Sequence, residues 1–455
     1  MGLKFVGIDI GTTTISGIIY DPETRDLRSV TKKNSSCLES ENDWEDLQDP
    51  KIIHKIVQEI LDEFLAESCK IKGIGITGQM HGILYVDKEG NSIGPLYTWQ
   101  DRRGDLIYQD ELSYASFLAR KTGYALATGY GLVTHFYNLK NNLVPKRAHK
   151  ICTIMDFMVM RLAKNKLPVI DPSNANSFGL YDLESSAFDL KAMKKVSIPQ
   201  GLLPEIIPSG QIAGYYNKEI SLCNAIGDNQ ASFLGAVNDF ENSVLLNIGT
   251  SSQFSVYTNQ NIKNEGLELR PFPGGGYILV GSALSGGSSL VILKNFYSET
   301  IKMFINKSIE EIDFYNAINS LKYPGEETND LQVEVLFRGT RLDPQKRGSI
   351  TNISVFNFTP ANLVFGFIHG ICNELFGFFE KIPENKKNKV QKIIGSGNAI
   401  RMNTMLCHIL EDTFSRKIAI PQNSEQAAFG ACLNAMAGGK YVASYHELGQ
   451  FISYL

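Results

Sequence analysis

Residues 8–20 read IDIGTTTISGIIY and residues 246–257 read LNIGTSSQFSVY. Each stretch is an apolar run, a Gly-Thr pair with a further hydroxyl, and a second run rich in β-forming residues. That pattern predicts a β-hairpin whose turn carries no bulky side chain. A turn of Gly, Thr and Ser offers backbone N–H groups and hydroxyls without a wall of Cβ atoms, so it can hold an anion. The motif stands near the start of each half of a 455-residue chain. Two such turns predict a duplicated nucleotide-binding protein, one polyphosphate held between them, with the active site in a central cleft.

The chain is too long for one ordinary core, and two domains are expected. The boundary is expected near Val237–Asn242, giving residues 1–237 and 238–455. A hydrophobic content of 43% and a charged content of 20% are those of a globular protein. The formal net charge is −4, with no long basic run, which argues against nucleic-acid binding. The longest apolar stretch, Leu363 to Phe379, is interrupted by His369, Asn373 and Glu374 and reads as a buried helix, so no membrane partner is expected. Seven cysteines without a CxxC or zinc spacing, and a start that enters a strand directly, fit a reduced cytoplasmic setting. Strand-like and helical segments alternate, which indicates an α/β fold. Strands are expected at Lys4–Asp9, Thr14–Tyr20, Lys72–Ile76, Ile83–Val86, Ser243–Ile248, Gln253–Tyr257, Tyr277–Ser282, Lys392–Ile394 and Lys417–Ile420. Helices are expected at Pro50–Ser68, Leu363–Lys381, Ala399–Thr413 and Ser424–Met436.

Four constellations carry chemistry. Asp9 precedes the turn Gly11-Thr12-Thr13-Thr14, where a carboxylate at a strand end can hold Mg²⁺ against bound phosphates. The second copy has Asn247 in that place, so only one half would carry the metal. In Gly227-Asp228-Asn229, Asp228 is either a helix N-cap or a catalytic base. The loop Thr77-Gly78-Gln79-Met80-His81-Gly82 follows a strand, where α/β proteins bind ligands. Gln79 and His81 there can bond the hydroxyls of a polyol, although a lone histidine is more often structural. Trp99 and Asp101 offer an aromatic face and a carboxylate to a sugar, whereas Arg102 and Arg103 read as a solvated charge cluster. Finally, Gly395-Ser396-Gly397-Asn398 at a strand-to-helix turn lets backbone approach a nucleotide. Gly286-Gly287-Ser288-Ser289 either lines the same pocket or starts a helix.

Taken together, DIGTTT, TGQMHG, TWQDRR, GDNQAS, LNIGTSS and GSGNA resemble the FGGY carbohydrate kinases, in order and over nearly the whole chain. The resemblance implies a duplicated ribonuclease-H-like fold, shared with actin and Hsp70, and ATP and Mg²⁺ as cofactors. It implies Asp228 as general base, with Asp9 and Asp228 near the metal. Gly11, Thr12, Thr13, Thr14, Gly249, Thr250 and Gly287 would meet ATP, and Gly397 and Asn398 would border adenosine. Gln79, Met80, His81, Trp99, Asp101, Asp228 and Asn229 would form the sugar site. The block ATGYGLVTHFYNLK (Ala127–Lys140) and TWQDRR point to a seven-carbon ketose, sedoheptulose; TIMDFMV (Thr153–Val159) is shared with kinases of that sugar, TGQMHG does not decide between substrates, and small-molecule partners only are expected. A five-carbon ketose is the alternative within the family, and a nucleotide switch or sugar sensor the alternative outside it. A monomer or homodimer is expected.

Overall fold

The computed structural model describes residues 2–67, 70–262, 264–308, 310–322, 331–340, 343 and 345–455. It is a mixed α/β protein of two compact units. One comprises the chain up to Asn238 with Arg270–Gly276 and Glu425–Ile452, the other Asp239–Leu269, Tyr277–Ser424 and Ser453–Leu455.

The first unit is built on a six-stranded sheet of β1 (Lys4–Ile10), β2 (Thr14–Tyr20), β3 (Leu27–Lys33), β4 (Ile71–Gly78), β5 (Ile212–Tyr216) and β6 (Ile220–Cys223), in the order β5-β6-β4-β1-β2-β3. β1, β2 and β3 form an antiparallel meander, and β4 and β6 add in parallel beside β1. The crossover from β3 to β4 runs through α1 (Pro50–Glu67). Pro50 suits the first turn, where its missing N–H has no intrahelical partner. Ile53, Ile56, Val57, Ile60, Leu61 and Phe64 recur at helical spacing and are buried against the sheet. Ser68, the expected last residue of this helix, lies outside the described residues.

The other face of the sheet carries α9 (Gln426–Gly438), the last of the helices, a helix of small residues that contacts β1, β4 and α4 (Asp228–Ala236). The approach is close. A Cβ on Gly7 of β1 would fall 1.9 Å from the Ala428 carbonyl oxygen, and one on Gly430 would fall 1.8 Å from that of Ala231. Glycine at these positions permits backbone contact that any side chain would forbid. Between α1 and α4 in the chain lie α2 (Gly131–Lys140) and α3 (Pro172–Phe178), which serve the site described below.

The second unit repeats the arrangement. Its strands are β7 (Ser243–Ile248), β8 (Ser252–Thr258), β9 (Glu268–Pro271), β10 (Tyr277–Ala283), β11 (Lys392–Ser396) and β12 (Ile418–Ala419), in the order β9-β10-β8-β7-β11-β12. β7, β8 and β10 form the antiparallel meander, and β11 and β12 add in parallel beside β7. The helices of this unit include α5 (Gly287–Ile305), α6 (Pro360–Glu380), α7 (Asn398–Met402) and α8 (Thr404–Phe414). Among the described residues α6 is the one helix long and apolar enough to cross a membrane. It is instead the core helix of this unit, with Phe365, Ile368, Ile371 and Leu375 buried.

The single helix expected over Ala399–Thr413 is two helices. Asn403 breaks it with an extended backbone (φ −126°, ψ 95°), and its buried Oδ1 accepts the Leu406 N–H at 3.0 Å. Asparagine competes for backbone hydrogen bonds within a helix and is favoured as a cap, which is the role it takes here.

Candidate active site

In the first unit the predicted residues converge at the carboxyl ends of β1, β4 and the segment after β6. Asp9 pairs across the sheet with Thr77, whose hydroxyl donates to the Ile226 carbonyl oxygen at 2.8 Å. Two residues further, Asp228 opens α4, with Gly227 as its N-cap. Asp9 and Asp228 are both partly exposed. Burial pushes the Asp9 carboxyl up to about 7, with the charges of Asp228 and Glu425 adding to it. Burial also raises Asp228, to about 6, while Arg270 and the backbone N–H groups of Asn229 and Asp228 itself pull the other way. Crowded acids that share too little water favour protonation or a nearby cation.

The turn between β1 and β2 is held from behind. Asn34 donates its side-chain amide to the Gly11 carbonyl oxygen (2.9 Å), and Gln48 donates to that of Thr12 (2.9 Å). The Gln79 side chain bonds Gln48 (2.8 Å) and accepts weakly from the Thr12 hydroxyl (3.4 Å). The structure therefore places Gln79 under the β1–β2 turn, with both ends of its amide in use. Thr13 and Thr14 are exposed.

The predicted sugar residues form a wall beside this turn. Trp99 is 44% exposed and donates its indole N–H to Thr12 Oγ1 at 3.1 Å. Gly129 lets the ATGYG segment lie against it, since a Cβ there would sit 2.1 Å from the Trp99 carbonyl oxygen. Tyr130 then stacks on His81 at 4.5 Å. His81 adopts a left-handed backbone (φ 72°), a strained state for a non-glycine residue that persists only where the surroundings hold it. Its Nδ1 lies 2.9 Å from the Ser177 carbonyl oxygen. A carbonyl only accepts, so Nδ1 carries the proton, and in the neutral ring Nε2 is left as an acceptor. Met80 is buried, its sulfur filling the space beside Gly227. Asn229 is buried in the first turn of α4.

Asp101 and Arg103 differ from their expected settings. Arg103 is 1% exposed, not solvated. Its guanidinium bonds both oxygens of Asp101 (2.6 and 3.0 Å), Asn138 and Glu45, and lies over the rings of Tyr97, Trp44 and Tyr137. Asp101 is fully buried beneath the Trp99 loop, and its Oδ2 also accepts the Asp46 N–H. With both oxygens engaged, Asp101 anchors the loop that carries Trp99. Arg102 is exposed, as its reading implied.

In the second unit the expected nucleotide residues come together separately. The register that pairs Asp9 with Thr77 pairs Asn247 with Ser396, so Asn247 holds the equivalent sheet position. The turn here is one residue shorter: Ile248 pairs with Ser252, whereas Ile10 pairs with Ile15. The Gly249 and Thr250 carbonyl oxygens accept the N–H groups of Gly287 and Ser288 (2.8 and 3.1 Å), so the start of α5 abuts the turn. Gly397 has φ 90°, and a Cβ there would sit 2.3 Å from the Ile248 carbonyl oxygen. Asn398 follows it as the first residue of α7. Glycine is the residue that such a positive φ and such crowding admit.

Three contributors to the first unit's site escaped sequence reading: Arg270, Glu425 and Ser177. Tyr130 lay inside a quoted block but was not singled out. Among the described residues no three His, Cys, Asp or Glu side chains form a ready-made metal cage.

Residues 4–245 match the N-terminal domain of the FGGY family of carbohydrate kinases, and residues 244–438 match its C-terminal domain. The chain is 26% identical to the sedoheptulokinase of Mus musculus, over 94% of this chain and 96% of that protein. It is 25% identical to the xylulose kinase of Staphylococcus xylosus, over 98% and 93%. Among solved structures it resembles gluconate kinase from Lactobacillus acidophilus, with a TM-score of 0.85 and 21% identity over 99% of this chain and 92% of that one. That likeness is one of fold.

Proposed function

The chain belongs to the FGGY family of carbohydrate kinases, and on that premise we propose that it phosphorylates sedoheptulose with ATP to give sedoheptulose 7-phosphate and ADP. One observation carries the catalytic part of this reading. Asp228 is a partly exposed carboxylate with its titration raised to about 6, in the same unit as an exposed Trp99 and a strained His81. A carboxylate poised near neutrality, in the same unit as the proposed sugar wall, is suited to general base catalysis. In the proposed step the terminal hydroxyl oxygen bonds the γ-phosphorus, the bond from that phosphorus to the bridging oxygen breaks, and the hydroxyl proton passes to Asp228. Trp99, Tyr130 and His81 would orient the sugar, Thr12 and Thr13 the transferred phosphate. Gly249, Thr250, Gly287, Gly397 and Asn398 would hold the nucleotide.

Asp9 fits Mg²⁺. It is a hard oxygen donor whose charge is opposed by burial and by two neighbouring acids, and a cation relieves that opposition. When bound, Mg²⁺ neutralises charge on the phosphates. The preference for sedoheptulose rests on the mouse relative and on the blocks Ala127–Lys140 and Thr153–Val159.

The test is ADP release with Mg·ATP against sedoheptulose, D-xylulose, D-ribulose, glycerol and no sugar. Strong stimulation by sedoheptulose is expected. Preference for a five-carbon ketose overturns the substrate and keeps the chemistry. Release that ignores every sugar overturns the kinase step in favour of a switch or sensor.

A further inference from the structure

The short helix α3 is bonded at one end to the loop that carries Asp228 and at the other to His81. Ser173 Oγ accepts the Gly227 N–H at 3.0 Å, and Asn174 donates its side-chain amide to the Ala225 carbonyl oxygen at 2.9 Å. Four residues on from Ser173, Ser177 Oγ accepts the His81 N–H at 3.2 Å, and the Ser177 carbonyl oxygen accepts from His81 Nδ1 at 2.9 Å. Ser173, Asn174 and Ser177 are all buried. Residues four apart on a helix are separated by about 6 Å along the axis and lie on one face. One rigid turn thus spans the residue before the proposed base and the residue proposed to face the sugar.

The helix is itself fixed. Asp171 caps it, accepting from Ser173 N (2.8 Å) and Ser173 Oγ (2.6 Å), and its other oxygen accepts from the Asn224 amide at 3.1 Å. Because the Ser173 hydroxyl hydrogen is committed to Asp171, its lone pair is turned toward Gly227. The Ser177 hydroxyl hydrogen is committed in the same way, to the Asn174 carbonyl oxygen at 2.7 Å, so its lone pair is turned toward His81. The strained backbone of His81 needs such outside support to persist.

We infer that α3 is a spacer that sets the separation between Asp228 and His81, and so selects which hydroxyl of a bound sugar meets the base, with Ser173 and Ser177 as positioning residues at its two ends. This rests on the kinase reading above. Ser173 acts through Gly227 on the base, so its loss weakens the chemical step. Ser177 acts through His81 on sugar binding, so its loss weakens binding in ground and transition states alike.

The test is steady-state kinetics of Ser173→Ala and Ser177→Ala with sedoheptulose and D-xylulose. Ser173→Ala is expected to lower kcat about fivefold or more, with sugar KM within about twofold. Ser177→Ala is expected to raise sugar KM about fivefold or more, with kcat within about twofold. Both should move the ratio of kcat/KM for the two sugars toward unity. Parallel changes in the two variants, or an unmoved sugar ratio, overturn the inference. If an alanine variant fails to fold, Ser173→Cys and Ser177→Cys keep the side-chain shape, weaken the bond and are held to the same outcomes. Sugar-stimulated turnover of the unaltered protein, lowered at least about a hundredfold in Asp228→Asn, establishes the kinase reading independently. Without that turnover both readings fall.

Discussion

Trp99 and Thr12 share one hydrogen bond, indole N–H to hydroxyl at 3.1 Å. Trp99 presents an exposed aromatic face, and Thr12 sits in the first hairpin turn, so a single bond joins the proposed sugar wall to the proposed phosphate turn. The same hydroxyl reaches Gln79, and the Thr12 carbonyl oxygen is held by Gln48. A ligand that reorients the indole therefore acts on the turn directly.

Trp99→Phe keeps a stacking face and removes the N–H. We expect KM for ATP to rise about threefold to tenfold, the worth of one hydrogen bond, while the sugar KM rises less. Trp99→Ala should reverse that order, because it removes the stacking surface. Equal effects of Phe and Ala on the sugar KM would show that the indole face does not carry the sugar.

Asp228→Asn should fold and bind ATP yet lose on the order of 10²–10⁴ in kcat, the usual contribution of a general base. In the unaltered protein kcat should fall as pH drops below about 6, because the raised Asp228 carboxyl is then protonated and cannot accept the hydroxyl proton. A pH profile flat from 5 to 8 would remove Asp228 from that role.

Asp9 links stability to pH in a defined direction. Its carboxyl is raised from 3.8 to about 7 in the folded state, so the folded protein binds this proton more tightly than the unfolded chain. Stability from this group is therefore present below about pH 4 and is lost as pH rises through 7. Asp9→Asn should raise Tm at pH 8, by roughly 2–4 °C for each ~1 kcal/mol relieved, and leave it unchanged near pH 4, while turnover falls. Thermal melts at the two pH values check the sign, and a loss of stability at pH 8 would contradict it.

Arg103→Met would leave Asp101 buried without its cation. Breaking a buried ion pair from one side costs about 3–5 kcal/mol, and denaturant unfolding should show a loss of that size. The double variant Asp101→Asn, Arg103→Met should lose less than the sum of the two single variants, because the uncompensated charge is gone. Additive losses would mean that the pair is not coupled.

The hairpins were legible because they are local. An apolar run, a Gly-Thr turn and a second β-forming run close on themselves through adjacent strands, and β1–β2 and β7–β8 form as read. The equivalence of Asp9 and Asn247 was legible for the same reason. The break at Asn403 was hidden because helical periodicity continues across it, while the cap that ends one helix and starts the next is a matter of one side chain.

Charge was the least legible property. Arg102 and Arg103 are neighbours in a run that reads as solvated, and among the described residues Arg103 is the largest fully buried side chain. Its partners come from residues 44, 45, 97, 101, 137 and 138, and a sequence window around Arg103 contains little of that environment. Arg270 bears on Asp228, and Glu425 on Asp9, from still other stretches of the chain.

By itself the sequence determined that two Gly-Thr hairpins repeat, that each begins a like sheet, and that one carries an acid where the other carries an amide. These follow from local periodicity and turn chemistry. Only the tertiary structure decided that α9 returns to pack on β1 and β4, that Asp101 anchors a loop from a buried ion pair, and that α3 bridges the Asp228 loop to His81. Those depend on burial and on hydrogen bonds between segments tens to hundreds of residues apart, where the free energy of each contact is set by partners that no local pattern contains.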